Sequence, residues 1–154
     1  MLYNSEMKRI LGKIDVINDC DCNYNLIDRK ISSAAEYYYC ISEGVCLKDR
    51  TVSYKNTELS DFEWDGNEIY ITSSVDITSI VKEASIIMEQ LKSQMINEFK
   101  ETAFDIILSV DLGDNEIPLS STVRFYAIRD NYHIVESNTL EDYSQPLLIM
   151  QINN

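Results

Sequence analysis

Between residues 76 and 100 apolar side chains recur at intervals of three and four: Ile77, Ile80, Val81, Ala84, Ile87, Met88, Leu91, Met95 and Phe99. On a helix of about 3.6 residues per turn this spacing collects them into one stripe, so the pattern predicts a long amphipathic helix over 76–101 with Asp76 as its N-cap. A stripe of that length needs an apolar surface to cover it, and the flanking chain supplies one by alternating apolar and polar residues with period two. Phe104, Ile106, Leu108, Val110 and Leu112 form the cleanest run. Residues 122–129 and 132–137 flank Asp130-Asn131, a pair suited to a two-residue hairpin turn. Residues 147–153, led in by Pro146, read as a short buried strand. Upstream, Phe62 and Trp64 alternate with Asp61, Glu63 and Asp65, and beyond Gly66 the apolar Ile69 and Ile71 alternate with Tyr70 and Thr72. This predicts a hairpin that turns at Asp65-Gly66.

The N-terminal part is patterned differently. Leu2, Met7, Ile10, Leu11, Ile14 and Ile17 make a helical stripe over residues 2–17. A polar stretch rich in Asn and Asp then stops it. Ile27, Ile31, Ala34, Ala35, Tyr38 and Ile41 predict a second helix that is capped by Asn25 and ends at Gly44. Two helices joined by a short polar turn form an antiparallel hairpin. Residues 45–60 hold no period and read as a loop with one edge strand at Val52 and Tyr54. The expected fold is a single α+β domain over 1–154, with a mostly antiparallel sheet packed against one long helix. Its parts are a helical hairpin over 1–44, hairpin strands within 45–75, the long helix over 76–101 and antiparallel strands over 103–152.

At 154 residues and 45% hydrophobic content, the chain can bury a core without disulfides or metal. Charge is the departure from the ordinary: −13 at neutral pH, divided as −1, −5 and −7 over residues 1–50, 51–100 and 101–154. Such a surface repels nucleic acid and anionic membrane and speeds encounter with a basic protein. No run approaches the roughly 18 apolar residues of a membrane span. Glu6, Lys8, Arg9, Lys13 and Asp15 interrupt the N-terminus where a secretory signal would have its apolar core, so the expected address is cytoplasmic.

Candidate chemistry is sparse. Cys20, Cys22, Cys40 and Cys46 lack the CxxC spacing that lets two thiolates reach one zinc ion. Asp61-x-Glu63-x-Asp65-Gly66 echoes a calcium loop, but its twelfth position is Thr72 and not a bidentate glutamate. Asp111, Asp114 and Glu116 share an acidic turn with no basic or histidine neighbour in sequence. His133 is the only histidine, placed in an expected strand. Phosphate-binding glycine loops, serine-elbow and metalloprotease motifs do not occur. No catalytic residue, metal or cofactor is therefore expected.

The remaining signal is surface. Tyr37, Tyr39, Trp64 and Tyr70, with Asp61, Glu63, Asp65 and Glu68, make an acidic and aromatic set suited to protein recognition. The expectation is a non-enzymatic acidic protein that binds a macromolecule, in particular a protein with a basic face, as an inhibitor or immunity-type antidote would. Two alternatives are a structural or assembly subunit of a phage or other particle, and a metal-dependent enzyme using the acidic turn or the thiols.

Overall fold

The long apolar stripe folds as expected. In the computed structural model, which describes residues 1–14, 26–30, 37–41, 55–72, 76–114 and 116–153, it becomes helix α3, Ile77–Glu98. Asp76 caps it. Its carboxylate accepts from the hydroxyl of Thr78, from the backbone N–H and hydroxyl of Ser79 at 3.0 and 2.8 Å, and from the Thr78 N–H at 2.7 Å. These donors, the Thr78 hydroxyl first, pull the group down from 3.8 to about 2. Ile80, Val81, Ala84, Ile87, Met88, Leu91 and Met95 are all buried along one face of the helix.

That face lies on a five-stranded antiparallel sheet. Its strands are β1 (Leu2–Tyr3), β4 (Glu68–Thr72), β5 (Phe104–Asp111), β6 (Ser120–Ala127) and β7 (Leu147–Ile152), in the order β1-β7-β5-β6-β4. The alternation read from the sequence sets the register. Phe104, Ile106, Leu108 and Val110 of β5 join Val123 and Phe125 of β6, Ile69 and Ile71 of β4, and Leu148, Met150 and Ile152 of β7 beneath α3. The architecture is α+β.

The structure adds to these expectations at one point and corrects them at three. First, the sheet is covered on both faces. Ile107, Tyr126, Leu147 and Ile149 point away from α3 and are buried by Val135 and Leu140, which belong to the segment 128–146 with its 3₁₀ turn Ser137–Asp142. Second, residues 132–137 do not form a strand. Asp130 and Asn131 adopt φ of 53° and 56°, as a tight turn requires, but one edge of β6 is taken by β5 and the other by β4 as far as Arg124 and then by Ser60, Glu63 and Asn67. With no ladder left to join, the chain crosses the sheet as an irregular cover.

Third, the N-terminal helical hairpin is not formed. Helix α1 is short, Ser5–Leu11, and starts at Asn4 instead of the terminus. The buried Asn4 accepts from the N–H groups of Met7 and Leu147, both at 3.0 Å, and donates to the carbonyls of Gln145 and Tyr143 at 2.7 and 3.3 Å. One amide thus starts the helix and ties it to β7. The expected second helix is a pair of antiparallel strands, β2 (Leu26–Lys30) and β3 (Tyr37–Ile41). Tyr39 and Ile41 pack on the main core, whereas Tyr38 and Cys40 form another cluster with Leu59. A strand buried on both faces is apolar at nearly every position, and that density satisfied a helical reading by coincidence. The expected turn between the two helices and the edge strand at Val52 and Tyr54 lie outside the described residues.

Fourth, residues 61–65 are helical, part of α2 (Thr57–Gly66). Phe62 and Trp64 suggested period two because they serve opposite sides of this helix: Phe62 meets Tyr38 edge-on with ring centroids 5.6 Å apart, and Trp64 meets Tyr126 at 6.0 Å. The face between them carries Ser60, Glu63 and, at the C-cap, Asn67, all buried.

Those three side chains join strand edges that, among the described residues, have no strand beside them. Glu63 Oε1 accepts from Tyr39 N–H at 2.8 Å and Oε2 from Ala127 N–H at 2.7 Å. Arg129 closes on the same carboxylate with two nitrogens at 2.7 and 3.0 Å. Asn67 donates to the carbonyls of Tyr39 and Phe125 at 2.8 and 3.4 Å and accepts from Ile41 N–H at 3.3 Å. The Ser60 hydroxyl donates to the Ala127 carbonyl at 2.7 Å. Burial pushes the Glu63 carboxyl above its usual range while Arg129 and the two backbone donors pull against it.

Two outcomes follow for stability. Glu63→Gln keeps the shape but turns an amide N–H₂ toward backbone donors and strands Arg129, so urea unfolding should show a loss of about 3–5 kcal/mol. Arg9→Ala, which breaks an exposed pair to Glu6, should shift the same curve by less than about 0.5 kcal/mol. Because the folded-state value of Asp76 is depressed, its contribution is present above pH 3.8 and is lost as pH falls toward 2. Asp76→Asn, which still caps the helix, should flatten the acid limb of a stability–pH profile in that window.

Candidate functional site

The eight residues singled out for recognition divide once folded. Asp61, Asp65, Glu68 and Tyr70 are exposed and Trp64 is half-buried. They follow one another along the outer side of α2 and onto β4, the last strand of the sheet on that side. Arg124 links two of them: its guanidinium stands 5.1 Å from the Trp64 ring centroid and donates to Glu68 at 2.9 Å. Tyr70 lies two residues beyond Glu68, on the same face of β4, and is 57% exposed. The result is an acidic strip with aromatic surface inside it.

Two of the eight do not belong to that strip. Glu63 is fully buried, because the helical turn that presents Asp61 and Asp65 outward carries Glu63 inward. Tyr39 is half-buried against the core, its ring 5.0 and 4.9 Å from those of Phe99 and Phe104 and its hydroxyl 2.8 Å from that of Thr102. Tyr37 stands in β3, and its side chain lies outside the described residues.

The remaining sequence candidates are placed as follows. Cys40 is buried, while Cys20, Cys22 and Cys46 lie outside the described residues. Among the described residues no three His, Cys, Asp or Glu side chains gather as metal ligands. The calcium-like spacing falls on α2, a helix and not a loop. In the acidic turn, Asp111 accepts from Gly113 N–H at 2.9 Å, and Asp114 accepts from the N–H groups of Glu116 and Ile117 at 2.7 and 2.8 Å. Gly113 has φ of +70°, and a Cβ there would sit 2.7 Å from the Ile117 carbonyl. The carboxylates of Asp111 and Asp114 therefore close the loop around this glycine.

A second arrangement was not legible as a site in the sequence. His133 is held against the sheet by Asp105, Nδ1 to Oδ2 at 2.6 Å, where the expected strand would have made it a sheet residue. Asp105 is completely buried, and the Tyr126 hydroxyl donates to the same Oδ2 at 2.8 Å while accepting from the Ile134 N–H at 2.8 Å. Since Oδ2 acts as acceptor toward the phenol, a hydrogen is assigned to Nδ1, and Nε2 is the ring nitrogen that Asp105 leaves unengaged. Asp105 Oδ1 is buried with no partner. His133 in turn lines a cleft of about 400 Å³ with Asn131, Glu136, Ser137, Asn138 and Gln151. The available signal was Asp105 itself, a carboxylate in the otherwise apolar run from Phe104 to Leu108, which requires a buried partner.

Burial, reinforced by the Asp105 carboxylate, pushes the Tyr126 phenol well above its usual 10. A raised folded-state value means that its contribution is complete below pH 10 and declines as the solution becomes more alkaline. Tyr126→Phe leaves the Ile134 N–H unmatched and takes one of two donors from Asp105 Oδ2, and should cost about 1–3 kcal/mol at neutral pH. The same variant should flatten the alkaline fall in stability, as read from chemical denaturation at stepped pH.

No helix among the described residues is long and apolar enough to cross a membrane. Comparison with curated proteins and with solved structures finds no match. A family model, described as the Uncharacterized protein PM0498 family, matches residues 2–154, and the chain therefore belongs to the PM0498 family.

Proposed function

We propose that this is a cytoplasmic, non-enzymatic protein that binds a basic protein partner, in the manner of an inhibitor or antidote. The observation that supports it is the strip in which Asp61, Trp64, Asp65, Glu68 and Tyr70 share one side of the molecule, on a chain of net charge −13. Aromatic surface supplies contact area at low entropic cost, and surrounding carboxylates select a cationic partner and raise its rate of encounter. A surface of this sign disfavours direct binding to nucleic acid.

Affinity capture with the intact chain and with Asp65→Lys/Glu68→Lys/Tyr70→Ala tests the reading. The intact chain should retain a basic protein at about 50 mM salt and release most of it at about 500 mM, because exposed charges are screened over a few ångströms there. The triple variant, shown to be folded by circular dichroism, should bind that protein on the order of a hundredfold more weakly. Equal retention by both forms, or retention indifferent to salt, overturns it.

A further inference from the structure

The cleft beside His133 is lined by polar groups, and the one fixed charge among them is negative. Glu136 brings a carboxylate, Ser137 a hydroxyl, Asn131, Asn138 and Gln151 three carboxamides, and among the described residues no lysine or arginine lines it. Among the described residues the side chains of these five make no hydrogen bond to the rest of the protein, so their acceptors are unspent. His133 adds Nε2, the ring nitrogen that Asp105 does not hold. Behind His133, one side chain back from the cleft, the carboxyl of Asp105 is sealed from water with Oδ1 unmatched, and a low local dielectric strengthens its field. Anionic and apolar ligands are disfavoured on both counts. A cation with several N–H donors is favoured, and carboxylate and carboxamide oxygens suit the several donors of a planar guanidinium better than a compact ammonium.

The cleft also borders the acidic strip. Tyr132 stands between the lining residues Asn131 and His133, and its hydroxyl donates to Asp61 at 2.9 Å. We propose that this cleft is the pocket for an arginine side chain of the basic partner. The proposal rests on the binding function above and extends it, naming the residue type that the partner inserts.

The test uses the intact protein and N-acetyl-L-arginine amide, followed by nuclear magnetic resonance. The chain has one histidine, so the imidazole signals are unambiguous. Saturable shifts are expected at His133 and at the side-chain amides of Asn131, Asn138 and Gln151. Glu136→Gln, an exposed change that leaves the fold intact, should weaken binding about tenfold by removing one charge-assisted contact, and Glu136→Lys should abolish it. N-acetyl-L-lysine amide should bind several times more weakly than the arginine probe. Absence of saturable shifts, shifts centred elsewhere, indifference to Glu136→Lys, or equal affinity for the two probes overturns the proposal. Asp65→Lys/Glu68→Lys should leave the arginine probe bound in the cleft. Failure of protein capture with the cleft still binding would sink the partner reading alone, and capture without cleft binding would sink this one alone.

Discussion

The structure depends on a carboxylate placed where a strand edge would otherwise be bare. The β4 ladder ends opposite Arg124, so β6 runs on through Phe125 and Ala127 with no strand among the described residues to pair its edge on that side. Strand β3 arrives at the same place with its own edge turned toward it. Backbone N–H and C=O groups cannot be buried without partners, and helix α2 meets the need by presenting Ser60, Glu63 and Asn67 at intervals of three and four. Glu63 accepts from both strands at once, with Arg129 meeting its charge. Buried ion pairs are often replaceable by apolar side chains of similar volume. This one is different in kind, because an apolar replacement would leave the N–H groups of Tyr39 and Ala127 without acceptors as well as removing a charge.

That junction also decides what faces solvent. With Glu63 turned in, the helical period sets Asp61 and Asp65 outward and lays Trp64 over Tyr126 and against Arg124. With Asn67 holding the Phe125 carbonyl, the chain is delivered into β4 in the register that exposes Glu68 and Tyr70. The acidic strip is therefore a consequence of the same three side chains that close the core, and loosening the junction would scatter the strip along with the fold.

The sequence was most informative where one period dominated. The stripe from Ile77 to Met95 had a single interpretation, and so did the alternation from Phe104 to Val110. It misled where two periods overlapped. In Phe62-Glu63-Trp64 the aromatic pair imitated a strand, since residues two apart on a helix lie on nearly opposite sides and here both sides were needed. In Tyr37 to Ile41 the density of apolar side chains hid an alternation between two separate clusters. Glu63 and Asp105 were harder still. A carboxylate reads as solvent-facing by default, and its partners, Arg129 at a separation of 66 positions and His133 at 28, come from parts of the chain that only the tertiary fold brings near. The strip was partly legible, because exposed acidic and aromatic residues need no distant partner to be recognised.

The sign of the surface follows from how the few cations are used. Residues 101–154 carry nine acidic groups and two arginines. Arg129 is committed to Glu63, Ser60 and Ala127 at the junction. Arg124 is committed to Trp64 and Glu68 on the strip. Neither stands among the residues that line the cleft, and the segment that crosses the second face of the sheet adds Asp130, Glu136, Glu141 and Asp142, all exposed. Both arginines of this third are thus held by the fold, so the nearest cations cannot neutralise that face without breaking contacts they already make. An external cation faces no such competition, and for that reason the uncompensated charge is a property of the folded arrangement as well as of the composition.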